Sequence, residues 1–127
     1  MANHPDAAPS QASRDRLRAA WRAERAAARS SPASGDVADE WRHLERAHVL
    51  SQAMAAAHVH THLAMLGHGI RRHDRREVIG QIIRLAVAGP GSLTGRYPVG
   101  NTGGAGISLR AAQPIPDDLG ALLGTTT

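Results

Sequence analysis

No cysteine, no lysine and no phenylalanine occur among the 127 residues, and two Trp and one Tyr are the whole aromatic complement. Each absence closes a line of chemistry. Without thiols there is no disulfide framework, no thiolate zinc site and no cysteine nucleophile. Without lysine there is neither Schiff-base chemistry nor a phosphate-loop lysine. At 2% aromatic residues the core must be aliphatic, and no stacking platform for nucleic-acid bases is present. No apolar run approaches the roughly 18 residues of a membrane span. Met1 to Ser13 also lack the basic-then-apolar order of a signal peptide, so a cytoplasmic protein without membrane association is expected.

What is present is histidine, eight residues of it, together with 15 positive charges that are all Arg against 11 acids. Histidine is the commonest metal ligand and the side chain that titrates near neutral pH. The length is that of one modest domain.

Apolar spacing predicts an all-α chain: a compact four-helix domain of two helical hairpins, tetratricopeptide-like in arrangement, over residues 14–123. Residues 1–13, with Pro5, Pro9 and three polar residues from Ser10 to Ser13, read as a disordered tail, and residues 124–127 as a polar tail. Helix one is expected over Arg14–Arg29, with Leu17, Trp21 and Ala28 on one face and an arginine stripe on another. The Ser30–Gly35 stretch should break it. Helix two is expected over Val37–Gln52, behind an Asp36 cap. Helix three should cover Ala55–Arg72, burying Val59, Leu63, Leu66 and Ile70. Helix four should start at the Asp74/Glu77 capping pair, bury Val78, Ile79, Ile82, Ile83 and Ala86, and end before Gly89-Pro90-Gly91. Residues 89–116, rich in Gly and Pro, then read as an extended strap or lid, with a short closing helix around Leu119–Leu123.

The chemistry concentrates on helices two and three. Glu45 and His48 at i, i+3 put a carboxylate and an imidazole on one side of helix two. His58 and His62, one turn apart on helix three, form a two-point chelate aimed at the seam between the helices. Glu45, His48, His58 and His62 are therefore the predicted metal ligands, a donor set suited to a first-row transition ion such as Zn, Fe, Ni or Cu(II). Glu77 and Gln81, with Arg84 on the same stripe, are candidates to orient a ligand histidine from helix four. Asn101, Thr102, Gly103 and Gly104 are candidates for a loop over the site. His43, His60, His68, His73 and His4 are read as solvated side chains.

Taken together, Leu44-Glu45-Arg46-Ala47-His48, His58 with His62-Leu63-Ala64-Met65, Arg72-His73-Asp74 through Glu77 to Gln81, Asn101-Thr102-Gly103-Gly104 and Pro114-Ile115-Pro116 resemble the small bacterial family catalogued as domain of unknown function 3703. The resemblance runs from about Asp36 to Leu123. It implies importance for the Glu77–Gln81 and Asn101–Gly104 segments and a link to heavy-metal resistance, and it carries no activity with it. The function expected from residues and resemblance is a small helical metal-binding protein linked to metal homeostasis, with water or dioxygen activation and a small-molecule substrate if it is an enzyme. The rival readings are a tetratricopeptide-like module for a partner protein or for self-association, holding no metal, and a basic nucleic-acid-associated protein.

Overall fold

A computed structural model describes residues 8–94, 103 and 114–124. Among them the chain forms five helices and no strand: α1 (Gln11–Ser34), α2 (Val37–Ser51), α3 (Ala55–Arg71), α4 (Arg75–Thr94) and α5 (Asp117–Leu123). Each of the short connections α1–α2 and α3–α4 joins helices that pack on one another. α2 also packs on α3, and α5 lies on α1 and α2. No helix among the described residues is long and apolar enough to cross a membrane.

α1 is longer than the spacing predicts at both ends. Ser10 accepts the Ser13 amide at 3.1 Å and opens the helix three residues ahead of Arg14. At the far end the serines do not break it: Ser30 and Ser31 donate to the Ala26 and Ala27 carbonyls at 2.9 Å each, which keeps their hydroxyls within the helix. The turn comes at Gly35, whose φ of +77° suits a residue without Cβ. Asp36 then caps α2 by accepting the Asp39 amide at 2.9 Å. Asp74 caps α4 likewise, accepting from Glu77 N at 3.0 Å, as the capping pair predicts.

The α4 backbone also outruns expectation, continuing through Gly89-Pro90-Gly91 to Thr94. Helical glycines cost about 1 kcal/mol each relative to Ala and Pro90 forfeits one helical bond, penalties that oppose a helix without forbidding it. Most of the predicted 89–116 strap lies outside the described residues.

Two small aliphatic clusters hold the helices. Ala28, Leu44 and Met65 join α1, α2 and α3, with Trp41 and Ala64 packed against them. Val49, Leu50 and Leu119 join α2 and α5, covered by Leu17, Trp21, Ile115 and Leu123. Fully burying each Leu or Met side chain contributes about 1.5–3 kcal/mol.

The faces of α3 and α4 correct the sequence reading. Leu63 and Ile70 on α3 are 49% and 56% exposed, and Ile79, Ile82 and Ile83 on α4 are 59%, 55% and 52% exposed. The sides turned inward carry His58, Thr61, His62, Met65 and His68 on α3, and Gln81 and Arg84 on α4. Aliphatic periodicity marks a face of a helix but not its direction. Here the interior goes to polar side chains, among which His58, His62 and Gln81 join one another and His48 across the helix seam.

Candidate metal centre

His48 comes from the last turn of α2, and His58 and His62 from successive turns of α3. All three are buried. Their Nε2 atoms form a near-equilateral triangle: His48–His58 3.0 Å, His58–His62 3.0 Å and His48–His62 3.1 Å. Three of the four predicted ligands therefore meet, and they are the one group of candidate ligand side chains gathered among the described residues. Glu45 is outside that group. It is half-buried, and its carboxylate takes a hydrogen bond from the Trp41 side chain. Burial raises its pKa, and the nearby charge of Glu77 raises it further.

The triangle cannot be held by hydrogen bonds alone. An imidazole nitrogen is either a proton donor or a lone-pair acceptor, and a three-membered ring of contacts cannot alternate donor with acceptor. At least one edge of the triangle must bring two like groups together.

His62 narrows the choice further. Its Nδ1 lies 2.6 Å from Gln81 Oε1, while Gln81 Nε2 donates to Glu77 Oε1 at 2.6 Å and to the Gly103 carbonyl at 2.7 Å. With both acceptors on its NH2 side, Gln81 must present its oxygen to His62. The proton of His62 therefore sits on Nδ1 and leaves Nε2 a bare lone pair aimed at the triangle's centre.

Electrostatics keep His58 and His62 neutral. Burial, helped by the charges of His62 and Arg84, lowers the pKa of His58 to about 4. His62 is likewise lowered to about 4 by burial, against the opposing bond from Gln81, with Arg84 adding to the decrease. Neutral imidazole is the form that ligates a metal. Tetrahedral bonds of about 2.0–2.1 Å set ligand nitrogens roughly 3.3 Å apart, close to the spacing found here, and leave a fourth position for an exogenous ligand.

Gly103 seals one side of the cluster. It is buried with φ +84°, and a Cβ there would stand 2.6 Å from His48 Cδ2 and 2.9 Å from its Nε2. Asn101, Thr102 and Gly104 lie outside the described residues.

The other histidines divide. His60 and His73 are exposed as expected, and His73 has φ +54° in the α3–α4 turn. His4 lies outside the described residues. His43 is not solvated: its Nδ1 lies 2.6 Å from Glu24 Oε2. His68 is buried, its ring 5.0 Å from that of Trp41 and its Nδ1 3.3 Å from Glu40 Oε2. The sequence reading also passes over Thr61, which accepts the Trp21 indole N–H at 2.9 Å beside His62. That pair is 40 residues apart in sequence, and local spacing carries no sign of it.

Fold and cluster together describe an all-helical protein with a buried three-histidine group able to hold a metal ion. The sequence pattern of the protein family of unknown function DUF3703 matches residues 15–123, and the chain belongs to that family. The match takes in the Arg- and Ala-rich first helix, which is therefore part of the family's pattern. No curated protein and no solved structure matches the chain.

Proposed function

We propose that the protein binds one first-row transition ion through Nε2 of His48, His58 and His62. The observation that carries this reading is the closed triangle of nitrogens about 3 Å apart, an arrangement that hydrogen bonding cannot satisfy and a cation can. Gln81 and Glu77 act as positioning residues that fix the His62 tautomer, and Gly103 packs the backbone against His48. Three neutral imidazoles suit Zn, Fe(II), Ni or Cu(II).

Such an ion, bound through three nitrogens, would supply Lewis acidity to whatever occupies its fourth position. The links to metal homeostasis and to water or dioxygen chemistry belong to this same reading.

The test is elemental analysis of untagged protein purified without chelator. About one equivalent of metal is expected in the native chain and in His60→Ala, and none in His58→Ala/His62→Ala. A native protein that refuses every first-row ion would overturn the proposal. The interaction-module reading would then gain, with the exposed Ile79, Ile82 and Ile83 of α4 as its favouring observation.

A further inference from the structure

A groove of about 460 Å³ lies between α1, α2 and α3, away from the histidine cluster. Its charged lining is lopsided: Arg25, Arg29 and Arg71 against Glu40. Glu40 is itself buried and already engaged, bonded to Arg71 and 3.3 Å from His68 Nδ1.

Arg25 and Arg29 stand one turn apart on α1, and among the described residues no carboxylate pairs with either. The adjacent Glu24 is taken by His43 and Arg46, at 2.6 Å and 2.8 Å. Arg25 is half-buried; desolvation and the like charge of Arg29 both act against its protonated form. Two cations held together on a groove wall without a counter-charge are what an incoming anion relieves. The rest of the wall is aliphatic, with Leu44 at the floor, 1% exposed, and Leu63 at the rim, 49% exposed.

We propose that this groove binds a small amphipathic carboxylate, with its headgroup on Arg25 and Arg29 and its aliphatic body over Leu44 and Leu63. A planar guanidinium pairs with a carboxylate through two parallel hydrogen bonds, and the volume falls within the usual range for small-molecule sites, roughly 300–1,000 Å³. An inorganic anion would leave the leucines unused, and an uncharged lipid would leave the arginines unrelieved.

Isothermal titration calorimetry on the full chain as purified tests this, with octanoate as probe and acetate and octanol as its two halves. Saturable binding of octanoate is expected, with neither acetate nor octanol binding comparably. Arg25→Gln/Arg29→Gln should weaken it by about tenfold or more, because charge-assisted hydrogen bonds are lost. Leu63→Glu, a change at an exposed position that sets a negative charge at the rim, should abolish it independently. Both variants should keep native helical circular dichroism and native metal content. The proposal is overturned by absence of saturation up to the solubility limit of octanoate, by undiminished binding in the arginine variant, or by equal binding of either half-probe. Because the groove shares no residue with the histidine triangle, each site can fail without the other.

Discussion

A methyl group at position 103 would meet the His48 ring at 2.6 Å, and the backbone there has φ +84°. Gly103→Ala therefore combines a ring clash with a left-handed conformation that costs a non-glycine residue roughly 1–2 kcal/mol. The expected outcome is a lower melting temperature together with weakened metal retention, read by thermal denaturation and competition with a chelator. Gln81 tests a different property of the same site. Gln81→Leu keeps the volume and removes the oxygen that holds the His62 proton on Nδ1. Loss of such a partner typically lowers metal affinity about 10–100-fold. Gln81→Met, of similar length but without the oxygen, should lose about as much affinity as Gln81→Leu, a result that a purely space-filling role would not produce.

At the scale of the helices, inward and outward faces make opposite predictions. Leu50 is fully buried between α2 and α5, so Leu50→Ala should lose about 2–5 kcal/mol in chemical denaturation. Ile82→Gln, at a site 55% exposed, should change stability by less than about 0.5 kcal/mol, although periodicity alone marks Ile82 as core. This contrast also shows what the sequence made legible. Helix positions followed from caps and breaks such as Asp36, Gly35 and Asp74, which act through neighbouring atoms. The gathering of His48, His58 and His62 was legible because i, i+4 spacing and a short α2–α3 connection constrain where those rings can go. Glu45 shares the face of His48 but not its partners, since helical phase sets direction and leaves the last few ångströms to packing. Gln81 already stood as a candidate to orient a ligand histidine, whereas the burial of His68 was hidden because its neighbours Trp41 and Glu40 lie on another helix. Gly103 could be marked as a glycine of interest, yet nothing local tied it to His48.

For the molecule as a whole, the neutral histidines set an acid limit. The pKa values of His58 and His62 fall from 6.5 to about 4 on folding, so above pH 6.5 both the folded and the unfolded chains leave them uncharged. Between pH 6.5 and about 4 the unfolded chain takes up protons that the folded chain refuses. Stability must therefore fall with falling pH across this window, by at most about 1.4 kcal/mol per pH unit for each group, and level off below it. Denaturation of the metal-free protein at a series of pH values checks the sign. A metal that binds only the folded state should act the other way at neutral pH, adding about 2.7 kcal/mol at a free concentration one hundred times its dissociation constant.

The chain's two tryptophans both bond to residues within one helical turn of the clustered histidines. Trp21 donates to Thr61, the residue before His62, while Trp41 hydrogen-bonds Glu45, one turn ahead of His48, and lies beside His68. With a single tyrosine and no phenylalanine, nearly all the near-ultraviolet signal of the protein originates at these two indoles. The protein thus carries its own optical gauge. If the triangle takes an ion as proposed, the tryptophan emission should respond, and occupancy could then be followed in real time without a label.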